Sequence, residues 1–130
     1  EGMDEVNKTI TISDADFYDW VCELYANVDT YEGYTVTMKG MVYHDDSTME
    51  STEFATVRLA MVCCAADMVP CGPMCIYDNA PSLTEDAWIT ITGIIHACTY
   101  EGTKEPEIDV TNVETADAPK EEYLYPYGGY

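Results

Sequence analysis

The sequence predicts a mainly β domain: an OB-like Greek-key barrel of about five strands with one helix near its N-terminus. Three observations predict it. Period-two, β-branched stretches recur along the chain. One segment has helical spacing of its apolar residues. Two long strands each carry a glycine midway, where a small barrel must bend sharply. A sandwich-like α+β domain is the alternative. The length of 130 residues fits one domain spanning 1–130, and a 47% hydrophobic content supports a packed core rather than disorder.

In chain order, residues 1–7 read as a frayed lead-in. Lys8–Ile12 alternates and reads as a strand. Ser13 followed by Asp16 is a variant capping box, and Asp14 and Asp16 suit the positive end of a helix. Phe17, Trp20, Val21, Leu24, Tyr25 and Val28 then recur at helical spacing, which predicts a helix over 14–27 with Cys22 as a small core residue. Tyr31–Gly33 is a turn. Strands follow over 34–43, with Gly40 midway, and over 54–63. The second is apolar apart from Thr56 and Arg58, so it is buried on both faces, and Arg58 needs a carboxylate or carbonyl partner. A short strand at 74–77, a connection at 78–86, a strand at 88–97 with Gly93 midway, a hairpin loop at 100–104 and a last strand at 107–113 complete the barrel. Residues 116–130, with Pro119, Pro126 and several tyrosines, form an extended tail laid on the surface.

Five basic against 25 acidic residues give a net charge of −20. Such a surface repels phosphate backbones, so nucleic acid is excluded as a partner. No run of eighteen apolar residues spans a bilayer. The chain begins at Glu1, which reads as a trimmed or excised piece. Acidity and six cysteines fit an extracytoplasmic location.

Chemistry concentrates between Arg58 and Cys75. Cys63, Cys64, Cys71 and Cys75 form a thiol set suited to zinc, or to copper(I) with methionine help. A turn could fold Asp67 back toward Cys64, and His96 or His44 could supply nitrogen. Adjacent strand residues point to opposite faces, so Cys63 and Cys64 share one site only if the strand ends or bulges between them. Buried structural thiols or a disulfide explain the same residues as well as a metal does. Cys71-Gly-Pro-Met-Cys75 has three intervening residues rather than the two of a thioredoxin-type motif, and no helix follows it. A disulfide between Cys71 and Cys75, or a pair of soft ligands, fits better than redox catalysis. The acidic pairs Asp45-Asp46 and Glu85-Asp86 lack the spacing of a calcium loop and read as solvated. No nucleophile motif or phosphate-binding loop is present, and the chain reads as non-enzymatic.

Arg58-x4-Cys63-Cys64-x-Ala66-Asp67, then Gly72, resembles the hallmark of the YcgQ-like family of bacterial membrane proteins. Those proteins partner YcgR-like permeases in a two-part transporter. The turn at Tyr31–Gly33, the strands around Gly40 and Gly93, the 108–113 strand and the ending Pro119…Pro126-Tyr127 resemble the C-terminal domain of that family. The resemblance implies an accessory domain of a permease system, with Arg58, Cys63, Cys64 and Asp67 as motif positions and Arg58 structural, paired with Asp67. It also favours soft-metal binding, read here through Cys63, Cys64 and Asp67, with His96 or with Cys71 and Cys75, which depart from the usual pattern of that family, as extra ligands or an added disulfide. The rival reading is a protein-interaction domain whose cysteines are structural, and a third is thiol–disulfide exchange.

Overall fold

A computed structural model of the chain describes residues 2–61, 68–100, 102–120 and 123–124. Its elements are β1 (Met3–Asp4), β2 (Thr9–Thr11), α1 (Phe17–Ala26), β3 (Thr35–Tyr43), β4 (Glu53–Met61), β5 (Met68–Cys71), β6 (Met74–Ile76), β7 (Trp88–Tyr100) and β8 (Thr103–Thr115). β3 pairs antiparallel with β4 on one side and with β7 on the other. β7 turns into β8 as a long hairpin, β8 runs parallel to β6, and β6 returns antiparallel to β4. The circuit β3–β7–β8–β6–β4–β3 is therefore closed. This is the Greek-key order of an OB barrel, with five strands in the ring and one α-helix outside it.

Alternation explains the interior. Residues of β3 are buried and half-buried by turns along all nine positions, so Val36, Met38 and Val42 face inward. Ile89, Ile91 and Ile95 of β7, Ile108 of β8 and Phe54 of β4 fill the same interior. The two mid-strand glycines sit where the strands crowd. A Cβ on Gly40 would lie 2.8 Å from Thr56 Cγ2 and 2.9 Å from the Val57 carbonyl oxygen. Gly93 lies at a bulge where β8 gains a residue: Thr92 faces Asn112, yet Gly93 faces Val110. A Cβ there would lie 2.6 Å from the Asp109 carbonyl oxygen. Bulge and glycine together let the sheet curl far enough to close.

Helix α1 packs Phe17, Trp20, Val21 and Leu24 onto the core. Four such side chains, at roughly 2 kcal/mol each, fix it as part of the fold. The helix begins three residues later than the sequence predicts. The Ser13–Asp16 box does form: the Asp16 amide donates to Ser13 Oγ at 3.3 Å and Ser13 Oγ donates to Asp16 Oδ2 at 3.2 Å. It shapes the turn before the helix, while Asp16 occupies the N-cap without a side-chain cap bond. The apolar stripe is also narrower than its spacing suggests, because Cys22 and Tyr25 are exposed.

Two strands lie outside the expected set. Residues 3–4 are not frayed: β1 pairs with β2, which lies parallel to β3. β5 forms an antiparallel ladder with β4 despite Pro70, which sheet edges tolerate. Between β5 and β6 the chain presses onto β4, where the Thr56 amide donates to the Pro73 carbonyl at 3.3 Å. A side chain at Gly72 would overlap the Thr56 carbonyl, so this position admits only glycine. Of the C-terminal segment, Pro119 is buried, and Leu124 bridges Ala60 in parallel, its amide donating to the Leu59 carbonyl at 2.9 Å.

Candidate functional site

Of the residues singled out by the sequence, Arg58 lies on β4, Cys71 on β5, Cys75 on β6 and His96 on β7. Arg58 is the largest side chain buried to below 2% exposure, and its charge is fully accounted for. Its Nε donates to the Lys39 carbonyl at 3.2 Å, and its Nη2 donates to Asp14 Oδ1. The guanidinium lies 4.6 Å from the Phe17 ring centroid and 5.6 Å from that of Trp88. Lys39 Nζ stands 3.7 Å from the other Asp14 oxygen. Partial burial alone would raise the Asp14 carboxyl, but the Arg58 hydrogen bond and the Arg58 and Lys39 charges outweigh it and hold it below the usual carboxylate range. The carboxylate that Arg58 pairs with is thus Asp14, whereas the expected partner, Asp67, lies outside the described residues. Asp14 was missed because its place before a helix offered it a simpler role. The available signal was that a chain with five lysines and arginines buries one of them in an apolar strand.

Cys63 and Cys64 also lie outside the described residues. β4 and β5 pair through four rungs, from Arg58–Cys71 to Met61–Met68. Segment 62–67 therefore joins two chain ends that are already neighbours. Cys71 sits three rungs back, about 10 Å from that end at the rise of a strand. Cys75 pairs with Phe54, seven residues along β4 from Met61, or about 23 Å. His96 pairs with Glu107, beside the Ile108–Cys75 rung. Of the expected ligands, Cys63, Cys64 and Asp67 lie outside the described residues, and Cys71, Cys75 and His96 lie on three different strands. Cys75 and His96 sit toward the opposite end of β4 from segment 62–67, because the β5–β6 strand runs back along β4 instead of looping over it.

Burial favours the protonated form of the Cys71, Cys75 and Cys98 thiols. Cys75 is fully buried, 3.4 Å from Thr56 Oγ1 and 3.7 Å from the Pro73 carbonyl oxygen. Burial pushes its pKa up to about 12, against the opposing pull of the Thr56 hydrogen bonds. Burial, with Cys22 nearby, raises Cys71 to about 11. Cys98 is raised by burial and then by Glu107, Glu105 and Glu53. Cys22, Cys71, Cys75 and Cys98 are free thiols, so the expected Cys71–Cys75 disulfide is not formed.

His96 is held by carboxylates: Nε2 lies 3.1 Å from Glu107 Oε1 and 3.3 Å from Asp109 Oδ1. Burial raises the Glu107 carboxyl; His96 pulls it down, Asp109 and Glu53 push it up, and the net shift is upward. His44 bridges a different loop, with Nδ1 2.7 Å from the Glu53 carbonyl oxygen and Nε2 2.8 Å from Asp46 Oδ1. Among the described residues, no group of three or more histidines, cysteines or acids is placed to hold a metal ion.

Barrel order and buried arginine define an acidic OB-type domain built on β4. The family of the DUF1980 C-terminal domain matches it over residues 2–126, and the chain belongs to that family. Neither a search of curated proteins nor one of solved structures finds a match. No helix among the described residues is long and apolar enough to cross a membrane.

Proposed function

We propose that this chain is a non-enzymatic accessory domain, working outside the cytoplasm beside a membrane permease subunit, and that it holds a thiophilic metal through Cys63, Cys64 and Asp67. The supporting observation is the Met61–Met68 pairing. It confines two thiols and a carboxylate to a six-residue connection between adjacent strand ends. The buried Arg58 network and Gly72 fix the ladder that carries this connection. Two sulfurs and an oxygen suit zinc, with a further ligand from water or a partner; copper(I) would use the sulfurs alone. A net charge of −20 raises the local concentration of any cation.

The test is metal content after equilibration of reduced protein with zinc and gel filtration. One equivalent is expected in the parent chain and in Cys71→Ser, and none in the Cys63→Ser/Cys64→Ser double variant. A metal-free parent, or equal loading of the double variant, refutes the reading. Bound zinc should dissociate as pH falls, because its thiolates must be reprotonated.

The second reading, a protein-interaction domain with structural cysteines, is favoured by the buried Cys75 and the half-buried Cys71, whose thiols burial pushes upward. The same shifts weigh against thiol exchange at this pair, since the attacking species is a thiolate.

A further inference from the structure

A cavity of about 380 Å³ lies between α1, β1 and the short helical turn Val28–Tyr31, and is lined by Met3, Asp16, Asp19, Trp20, Glu23 and Tyr31. Asp16, Asp19 and Glu23 follow one another at three and four residues, so one flank of the helix carries all three carboxylates. Trp20 stands between that flank and the buried stripe. Its ring centroid is 5.7 Å from that of Tyr31 and the two planes are inclined at 76°, so the rings form a corner. Asp16 accepts from Ser13, and Glu23 from Tyr31 and Asn27. None of the three carboxylates is ion-paired with a described residue, and no described lysine, arginine or histidine lines the cavity. The same aromatic row already receives a cation at its other end: Tyr34 packs edge-on against Tyr31 at 5.5 Å, and Lys8 Nζ lies 5.2 Å from the Tyr34 centroid.

We infer that this cavity binds a small free organic cation of the quaternary ammonium class. Aromatic rings attract a cation electrostatically and ask no hydrogen bond of it. A primary ammonium is strongly hydrated and could replace its water only at the carboxylates, away from the rings. Methyl groups on the nitrogen give the charge an apolar shell that Trp20, Tyr31 and Met3 can touch. The carboxylates select the sign of the ligand. A quaternary ammonium that also carries a carboxylate or phosphate would meet Asp16, Asp19 and Glu23 with like charge, so zwitterions are disfavoured. Tyr31 stays a neutral phenol: burial first, then its hydrogen bond to Glu23 at 2.7 Å, push its pKa up to about 12. This inference is independent of the metal reading and involves none of its residues.

The probe is choline, titrated into the full chain in excess sodium chloride and followed by calorimetry and by the NMR signals of the Trp20 indole and the Met3 methyl. Choline should bind and move both signals. Dimethylbutanol, its uncharged carbon isostere, should bind at least about tenfold more weakly. Glycine betaine and phosphocholine, which carry the same trimethylammonium group beside an anion, should also bind at least about tenfold more weakly. Glu23→Gln keeps an oxygen for the Tyr31 hydroxyl, and Asp19 is exposed, so Asp19→Asn with Glu23→Gln should fold and bind choline roughly tenfold more weakly. Trp20→Phe keeps a ring in the core and should weaken binding about threefold, since indole is the better cation–π partner; a thermal melt checks its fold. Equal binding of dimethylbutanol would reduce the cavity to an apolar pocket, and equal binding of betaine would remove the role of the carboxylates; either overturns the inference. No choline binding, shifts confined to other faces, or an unweakened double variant overturns it too.

Discussion

Replacing Asp14 with alanine tests the electrostatic logic of the core most directly. Arg58 is 1% exposed and cannot turn to water. Without Asp14 it keeps the Lys39 carbonyl and the Phe17 and Trp88 rings, but no described counter-charge within hydrogen-bond reach. Breaking a fully buried pair costs about 3–5 kcal/mol. The Asp14 side chain is 51% exposed, so solvent screens part of this, and about 2 kcal/mol is the expected loss. At roughly 4 °C per kcal/mol for a domain of this size, the melting temperature should fall by about 8 °C. Asp14→Asn, which can still accept a hydrogen bond, should lose about half as much. The sign with pH follows from the lowered carboxyl. The stabilisation is complete above the unfolded-state value near 4 and fades as pH falls through the lower folded value. The assay is urea unfolding of parent and variant between pH 2.5 and 7, read as a difference so that the acidic surface common to both cancels. A gap that persists unchanged at pH 2.5, or a loss below about 0.5 kcal/mol at pH 7, would refute the reasoning.

Other consequences can be checked alongside. Gly72→Ala should cost about 3 kcal/mol or prevent folding, since its methyl would overlap the Thr56 carbonyl; a thermal melt unchanged from the parent would contradict that. Among the described cysteines, alkylation at pH 8 should label exposed Cys22 first, with Cys75 protected until the chain unfolds; mass spectrometry of timed samples reads the order. Glu107→Gln should raise the melting temperature by a degree or two at pH 7 and by nothing near pH 3, because a carboxyl with a raised folded pKa disfavours folding only once pH climbs above its unfolded value.

The barrel was legible in the sequence because its strands follow the period-two rule without interference. The nine residues of β3 alternate throughout, and Gly40 and Gly93 stand where the strands crowd. β5 was not legible: Pro70 and Gly72 read as a break, although an edge strand can hold a proline and the glycine is required by contact with the next strand rather than by a turn. Helix spacing placed Tyr25 and Cys22 on the buried stripe, but the ten-residue helix meets the core only through Phe17, Trp20, Val21 and Leu24, a narrower arc. Composition likewise grouped thiols by closeness in sequence. In a sheet, sequence distance becomes distance along a ladder, so Cys71 and Cys75 moved down β4 and away from segment 62–67.

The bridge between Leu124 and Ala60 carries a consequence for how the chain is made. All five ring strands are complete by Thr115, yet the outer edge of β4 at Leu59 keeps a bare carbonyl until residue 124 is in place. An uncovered strand edge is a template on which a second copy can pair. The segment that carries Leu124 thus acts as a selvedge, closing this strand edge against its own kind, and chains cut short before Leu124 should cluster even when their barrels are whole.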